Sequence, residues 1–389
     1  MSKRFSVWLL AIGVLFVVIA IVLWTAIAPV LTKLPNDVNT SMEFEGTMTL
    51  YVNPQTGEFL PPGQEMALPL EVIRTFKSVD YQYTSGVAVF EDTLLLDIEG
   101  MAPSTQVSSY ALDRKTRKCV ESDLNWAYDP SIILDGRVGF YGPLFPGGLE
   151  VGDVREAFFN DPSLPFEAEV VEEIADWNGL GITAMKIDAS REEAPYNPVI
   201  SQAVLVQGLG LPTEMSFDQF AAAMAAKGLD LNTLMAALQD VVTAEEMQAL
   251  MAMTQQPVPL VYGQYSGDVL YIEKTSGATV GATFDRTTTV GPDPAVLTQM
   301  AGVLMNYMED PTVGPAIQAA MGAVGGEPTK VYNQTMSITS KSQSLLADDA
   351  DDKAAMIKLA NLWIPLAVVL VGAVMILLGG AVLIARKGK

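Results

Sequence analysis

Two long uncharged runs at the two ends of the chain constrain its fold more than any other feature. The first runs from Val7 to Ile27, 21 residues, and the second from Leu362 to Ala385, 24 residues. A helix needs about 20 apolar residues to cross the hydrocarbon core of a bilayer. We therefore predict one transmembrane helix over residues 7–28 and a second over residues 362–385.

The basic residues next to these runs predict the orientation of the chain in the membrane. They lie on the terminal side of each run and are Lys3, Arg4, Arg386, Lys387 and Lys389. The positive-inside rule then places both short tails, 1–6 and 386–389, in the cytoplasm. Residues 33–361 form the extracytoplasmic part of a plasma-membrane protein.

The alternative for the first run is a cleaved signal peptide. Ala26, Ile27 and Ala28 have the small-x-small form of a cleavage site. However, the apolar region of a signal peptide usually has ~7–15 residues, and this run is longer. Pro29 would also directly follow the cleavage site. An uncleaved anchor is the favoured interpretation.

The charge of the chain lies outside the predicted spans and limits the possible partners. The net charge is −22, and only five of the 23 basic residues lie in the tails, which leaves 18 against all 45 acidic residues, or −27, outside. A field of this sign repels nucleic acid. Cys119 is the single cysteine, so the chain cannot form an internal disulfide.

The composition also argues against catalysis. The chain contains no histidine, which excludes a Ser-His-Asp triad and a histidine-ligated zinc site. We predict no enzyme, no cofactor, no catalytic residue and no metal ligand. The acidic cluster Asp348–Asp352 lacks the spacing and the turn glycine of an EF-hand loop, and it is typical of a solvated spacer before the membrane.

The segment between the spans has the pattern of a β-rich domain with helical insertions. From Thr40 to about Val206, short alternating runs are separated by Gly and Pro, as in an antiparallel meander. Helical patterns follow over residues 213–254, which contain two capping boxes, and over residues 293–325. The predicted fold is a membrane-anchored α+β protein, in which two terminal transmembrane helices flank one antiparallel barrel- or sandwich-like domain.

The helical insertions are rich in methionine. Ten of the 19 methionines lie between Met215 and Met321, and methionine is frequent on surfaces that accept variable apolar partners. These helices could also simply pack on the sheet, because Ala and Met are good helix formers. Under the first interpretation, the residues expected to line an apolar ligand are Met224, Met235, Leu238, Met247, Met251 and Met305.

A short pattern occurs twice in the β-rich part. "YVNPQTG" begins at Tyr51 and "YIEKTSG" begins at Tyr271, and both end on a hydroxyl residue followed by Gly. The shared residues are those that a strand entering a tight turn requires. We predict one turn used twice and not a repeated ligand site.

Small residues in the second span predict a contact between the two spans. Gly372, Gly379 and Gly380, with Ala381 and Ala385, form a face of small side chains. Such a face allows two transmembrane helices to approach closely. Its expected partners in the first span are Ala11, Gly13 and Ala20.

The order of these features resembles the PorA-like family of bacterial envelope proteins, best known from actinobacteria. The resemblance rests on "YALDRKTRKCV", with Leu112, Asp113, Arg114 and Thr116, on the Pro54-x-Thr56-Gly57 turn, on "ADWNGLGITAMKID" and on the loop "GFYGPLFPGGLEVGD". The second turn departs from the family pattern, with Lys274-Thr275-Ser276-Gly277 in place of Pro-x-Thr-Gly.

This resemblance implies a two-anchor protein whose outer domain handles envelope lipids or glycolipids, with a membrane lipid transporter as a possible partner. We therefore expect a non-catalytic envelope protein that binds or hands on such a ligand. The alternatives are a scaffold or sensor that organises a membrane complex, and an oligomeric porin-like channel. A channel within one chain is disfavoured because the two spans contain no charged residue to line a water pore.

Overall fold

The computed structural model describes residues 3–27, 33–34, 37–61, 63–79, 86–134, 136–141, 144–226, 228–324 and 328–387. The predicted boundaries at residues 1, 28, 325 and 389, and part of the candidate cleavage site at 26–29, lie outside these ranges.

Fourteen antiparallel strands form one large sheet within the described residues. The strands are β1 (Asn39–Leu50), β2 (Met66–Ser78), β3 (Val87–Ile98), β4 (Ser104–Asp113), β5 (Trp126–Ala127), β6 (Val154–Phe159), β7 (Leu164–Ile174), β8 (Ala184–Asp188), β9 (Arg191–Pro195), β10 (Glu214–Met215), β11 (Val258–Ser266), β12 (Val269–Glu273), β13 (Thr279–Pro292) and β14 (Thr329–Ile338). Their order is β5-β4-β3-β2-β1-β14-β13-β12-β8-β7-β6, and β11 pairs with β9, β10 and β13. The prediction of an antiparallel β-rich domain is confirmed.

The two edges of this sheet are joined, so that the sheet closes into a barrel. Isolated bridges lead from β4 to β6 through Leu112 with Cys119, Lys118 with Phe140, and Phe140 with Ala157. The Cys119 amide donates to Gly139 O at 2.7 Å, and the Phe140 amide donates to Glu156 O at 2.8 Å. Alternate residues of each strand face the interior, as the strand period of two requires.

The helices comprise α1 (Lys3–Val22, followed by a π-helical turn, Leu23–Ile27), α2 (Pro198–Ile200, continued as a π-helix over Ser201–Gly208), α3 (Phe217–Ala226), α4 (Leu231–Leu238), α5 (Ala244–Thr254), α6 (Pro294–Leu304), α7 (Gly314–Val324), α8 (Ser340–Lys358) and α9 (Ile364–Lys387). The helices α3–α7 belong to the two predicted insertions. The predicted capping boxes are present, with Ser216 paired to Gln219 and Thr243 paired to Glu246.

The α2 segment corrects the prediction of strands up to Val206. The Asn197 side chain accepts a hydrogen bond from the Val199 amide, and Pro198 occupies the first helical position. Proline has no amide to leave unpaired there, and its fixed φ suits a helix start. Residues 198–208 therefore form a helix between β9 and β10.

The two insertions lie at one end of the barrel and the apolar helices attach at the other. Leu260 near the start of β11 pairs with Pro292 at the end of β13, and Val290 pairs with Thr329 at the start of β14. The helices of both insertions share an apolar cluster that includes Leu234, Leu250 and Ile317. We call this end the insertion end and the opposite end, where β1 begins and β14 ends, the anchor end.

Among the residues that the structure describes, two helices are long and apolar enough to cross a membrane by length and composition. They are Phe5–Thr25 and the continuous helical segment Ser340–Ala385, of 46 residues. The acidic cluster 348–352 belongs to α8, where Asp349 pairs with Lys353 at 2.5 Å, so this predicted spacer is helical.

The recurring turn is confirmed, and the described part of the chain contains it three times. The turns begin at Asn53, Asp113 and Glu273. In each turn, the backbone N–H of the first residue donates to the carbonyl oxygen of the sixth residue. The N–H of the fifth residue donates to the carbonyl oxygen of the first residue, and all these distances are 2.8–2.9 Å. The side chain of the first residue accepts from the third amide in all three. The fifth residues, all with positive φ, are Gly57, Arg117 and Gly277.

The turns at Asp113 and Glu273 contact residues 144–153 of the segment "GFYGPLFPGGLEVGD", here called the glycine-rich loop, at the anchor end. Arg117 donates through Nη1 to Phe145 O at 2.6 Å and to Ser276 O at 2.9 Å. A Cβ atom on Gly277 would lie 2.2 Å from Phe145 O, and one on Gly147 would lie 1.9 Å from Thr275 O. Glycine at these positions lets the loop and the turn pack backbone to backbone, and this contact closes the anchor end.

Candidate functional site

The interior of the barrel contains a cavity of about 550 Å³. This volume falls within the ~300–1,000 Å³ that is usual for small-molecule sites. One part of the lining is apolar and comes from inward-facing residues of β1, β2, β3, β13 and β14 and from α2. Its members are Met42, Phe44, Met48, Val72, Leu94, Leu96, Ile98, Ala203, Val204, Leu209, Phe284 and Met336.

A buried ion pair forms one polar part of the lining. Arg74 donates to both carboxylate oxygens of Asp92, from Nε at 3.0 Å and from Nη2 at 2.8 Å. The Tyr141 hydroxyl contacts both partners. Burial opposes the charged form of Arg74, but the neighbouring Asp92 outweighs that penalty and raises the pKa of Arg74. Arg74 is therefore held in its charged form inside the barrel.

A second ionic group is built around Asp268 in the turn between β11 and β12. Its Oδ2 atom accepts from Nη2 of Arg191 at 2.6 Å and from Nη2 of Arg286 at 2.8 Å. The Arg191 guanidinium lies 3.4 Å from the centre of the Phe159 ring. Burial lowers the pKa of Arg191 to about 10, and Asp268 offsets only part of this effect.

Tyrosine and glutamine side chains also line the cavity. Gln264 donates through Nε2 to the Tyr196 hydroxyl at 2.7 Å, and that hydroxyl lies 3.3 Å from Thr288 Oγ1. Tyr128 donates to Asp161, and burial raises the pKa of Tyr128 well above its usual value. Tyrosine hydroxyls in this lining are thus neutral hydrogen-bonding groups. The lining as a whole can accommodate an apolar chain together with a polar group.

Exposed residues of the lining mark the mouth of the cavity. Thr105 near the start of β4, Asp129 after β5 and Gln207 of α2 line the cavity and are exposed. Thr105 belongs to the insertion end of β4, so the mouth opens there. At the anchor end, Phe145 of the glycine-rich loop is fully buried and lines the cavity from the closed side.

The six residues that the sequence predicted to line an apolar ligand lie in the helical insertions and not at the barrel cavity. Met224 and Leu238 are buried in the cluster shared by the insertions, and Met235 and Met247 pack against it. Met251 and Met305 are exposed, at 50% and 57%. None of these six residues lines the barrel cavity.

The strand pattern of the sequence indicates the inward position of Arg74 and Asp92, two cavity residues that were not among the predicted site residues. Arg74 shares the strand parity of Val72 and Phe76, which are buried, and Asp92 shares the parity of Phe90. A charged residue at a core-facing strand position is uncommon and requires a partner. The parity of charged residues in otherwise apolar strands therefore indicates a polar interior.

The described residues contain no group of three or more His, Cys, Asp or Glu side chains that could hold a metal ion. Burial raises the pKa of the Cys119 thiol to about 11, so the thiolate form is disfavoured. The buried carboxylates of the cavity bind arginine or tyrosine side chains.

Comparison with known proteins gives a family match over the first third of the chain. Residues 5–134 match the family model described as Porin PorA. The match includes the first apolar helix, the strands β1–β5 and two of the three recurring turns, so the resemblance drawn from the sequence is confirmed over this part. No curated protein matches the chain.

Proposed function

We propose that this chain, which matches the PorA family over residues 5–134, is a non-catalytic envelope protein whose barrel binds one lipid or glycolipid molecule. The observation that carries the proposal is the cavity of about 550 Å³ with an apolar wall and separate polar groups. A fully packed barrel would need no such space, because protein interiors normally leave few voids larger than a water molecule. A lipid matches both parts of the lining.

The two apolar helices serve as membrane anchors in this proposal. Both termini are cytoplasmic because basic residues flank the two apolar runs, and the acidic barrel lies outside. The mouth of the cavity then opens at the end away from the anchors. A ligand would enter or leave there, by exchange with a partner such as a membrane lipid transporter.

Catalysis is not part of the proposal. The chain has no histidine, and the arginines that line the cavity are paired with Asp92 or Asp268. These ion pairs leave the cavity with polar surface for recognition. The proposed role is therefore binding and transfer of an unchanged ligand.

Two other functions remain as rivals. A scaffold or sensor is favoured by the insertions, whose helices have their own apolar cluster and expose Met251 and Met305. The word porin in the family description suggests a channel. Both rivals predict that the cavity carries no bound lipid.

The test is the lipid content of the purified full-length chain and of two matched variants. Leu96 lines the cavity, whereas Leu95, the preceding residue of β3, is 39% exposed on the outer face. We expect Leu96→Trp to fill the cavity and to remove most of the co-purifying lipid, as measured by mass spectrometry of organic extracts. Leu95→Trp adds the same side chain outside and should retain the lipid.

The far-UV circular dichroism of both variants serves as the check on folding. Absence of lipid from the unaltered chain and from Leu95→Trp, with no uptake of added lipid, would overturn the proposed function. Equal lipid content in both tryptophan variants would place any bound lipid outside the barrel.

A further inference from the structure

The side-chain carbonyl of Gln264 is a buried acceptor without a donor. Gln264 is 3% exposed and lines the cavity. Its Oε1 atom has no hydrogen-bond partner among the described residues. A buried polar atom normally has a partner, because desolvation without a compensating hydrogen bond is unfavourable. A ligand in the cavity can therefore donate a hydrogen bond to Gln264 Oε1.

The orientation of this amide is fixed by the groups behind it. Its Nε2 atom donates to the Tyr196 hydroxyl at 2.7 Å. That hydroxyl is in turn 3.3 Å from Thr288 Oγ1 and 3.5 Å from the Tyr332 hydroxyl. Gln264 lies on β11, which pairs with β9 on one side and with β13 on the other. An acceptor held in this way is preorganised for a donor on a ligand.

The charged side chains that line the same cavity argue against an anionic ligand group. Arg191 and Arg286 share the carboxylate of Asp268, and Arg74 binds Asp92 through two hydrogen bonds. A phosphate would have to displace these carboxylates, which are already buried with their arginines. Phosphate oxygens are also acceptors and would not supply the donor that Gln264 Oε1 lacks. A hydroxyl group supplies it without adding charge.

We propose that Gln264 Oε1 accepts a hydrogen bond from a hydroxyl group on an uncharged lipid headgroup, and that this contact selects neutral hydroxylated lipids over phospholipids. The headgroup lies beside Tyr196 and Tyr332, and the acyl chain lies along the apolar wall that includes Met48, Val72 and Leu96. This inference rests on the proposed function, because it names the class of ligand for the same cavity.

The experiment compares three probes with the same lauroyl chain on the full-length protein. They are 1-monolauroylglycerol, which has two hydroxyl groups and no charge, lauroyl lysophosphatidic acid, which has one hydroxyl group and a charged phosphate, and methyl laurate, which has no donor. Bound fractions are measured by native mass spectrometry after release from detergent micelles. We expect 1-monolauroylglycerol to bind about tenfold more tightly than methyl laurate, as one buried hydrogen bond allows. Lauroyl lysophosphatidic acid should bind no better than methyl laurate, because the cost of burying its phosphate beside the carboxylates of Asp92 and Asp268 offsets the hydrogen bond that its hydroxyl group can donate.

Two variants assign this preference to the glutamine. Gln264→Met keeps the length of the side chain but removes the carbonyl, and it should reduce the preference for 1-monolauroylglycerol over methyl laurate to about unity while methyl laurate still binds. Gln202→Leu is the matched control, because Gln202 is exposed on α2 and does not line the cavity. It should bind all three probes as the unaltered chain does.

The outcomes separate this inference from the proposed function. Equal binding of 1-monolauroylglycerol and methyl laurate to the unaltered chain, or tighter binding of lauroyl lysophosphatidic acid, would overturn the inference and leave lipid binding intact. The comparison on the unaltered chain requires no variant to fold. Failure of all three probes to bind, together with no co-purifying lipid, would overturn the proposed function as well.

Discussion

At the scale of single residues, Arg117 shows what a sequence pattern can hide. The turns at Asn53 and Glu273 are recognisable because glycine occupies the position of positive φ. In the turn at Asp113, arginine has a φ of 62° at the same position, which is unfavourable for a residue with a Cβ. Its guanidinium contacts Phe145 O and Ser276 O across the anchor end. These long-range contacts explain the residue, and the local sequence does not contain them.

Glu246 is a second residue whose role exceeds its local motif. Its capping box with Thr243 could be predicted from the sequence, and both hydrogen bonds of the box are present. The carboxylate also accepts from the Tyr307 hydroxyl at 2.5 Å, which links the first insertion to the second. The hydrogen bonds from Thr243 and then that from Tyr307 lower the pKa of Glu246 to about 2.

This depressed pKa predicts a pH dependence for the helical insertions. The folded-state pKa of Glu246 lies below the ordinary value of 4.5, so the ionised form stabilises the insertions above pH 4.5. This contribution is lost as the pH falls towards 2. We expect Glu246→Gln to lower the melting temperature of the helical signal near neutral pH, and the difference from the unaltered chain to disappear as the pH falls through this window.

Glu245→Gln is the control. Glu245 also lies in the first turn of α5, and this substitution removes the same charge as Glu246→Gln. Melting curves followed by circular dichroism would contradict the prediction if both variants lost equal stability, or if the effect of Glu246→Gln did not change with pH.

At the scale of elements, helices with local start signals were predictable and α2 was not recognised. The insertions begin with capping residues and contain apolar residues at helical spacing. The segment 198–208 has the same kind of start at Asn197-Pro198, but its apolar residues, Val204 to Val206 among them, also fit a strand. Short apolar runs do not separate helix from strand by periodicity alone. The position of α2 against the barrel interior decides the outcome.

The contact between the two apolar helices is partly as predicted. A Cβ on Gly372 would lie 2.7 Å from Gly13 O, and one on Gly379 would lie 3.0 Å from Ser6 O, so these residues form the close contact. Gly380 has no atom within 4 Å of its ideal Cβ, and Ala11 is exposed. The prediction is therefore confirmed for Gly13, Gly372 and Gly379 and wrong for Gly380 and Ala11.

This geometry predicts a different effect for the same substitution at two glycines of α9. Gly372→Leu should push the helices apart by about 2 Å, since interaxial distances of about 8–10 Å depend on the side chains at the contact. Gly380→Leu should leave the distance unchanged. The distance is measured by electron-spin resonance between spin labels at Ile12 and Leu377, which are exposed, in a Cys119→Ser background.

A matching distance distribution for Gly372→Leu and the unaltered chain would contradict this contact. A shift of the same size in Gly380→Leu would show that any leucine in this span changes the packing, and would also contradict the assigned face.

At the scale of the whole molecule, the strand content was predictable and the cavity was not. Strand periodicity tells which residues share a face, so the inward position of Arg74 and Asp92 could have been inferred. Closure depends on bridges such as that of Phe140 with Ala157 of β6, and Phe140 lies in an irregular segment that has no strand pattern. The choice of a barrel over a sandwich, and with it the location of the cavity, follows from those long-range pairings. The methionine content instead favoured a ligand surface on the helical insertions.

The position of a bound acyl chain tests the proposed function most directly. The full-length chain in native membranes would be irradiated with a fatty acid that carries a diazirine group near its chain end, and the labelled peptides would be identified by mass spectrometry. We expect labels within residues 92–98 of β3 and 203–208 of α2, two segments that contribute to the cavity lining. Labels are also expected in the two apolar helices, which the proposed function places in the bilayer. Leu96→Trp should abolish the labels in those two segments. Labels confined to the methionine-rich insertions, at 217–254 and 294–324, would contradict a ligand site inside the barrel.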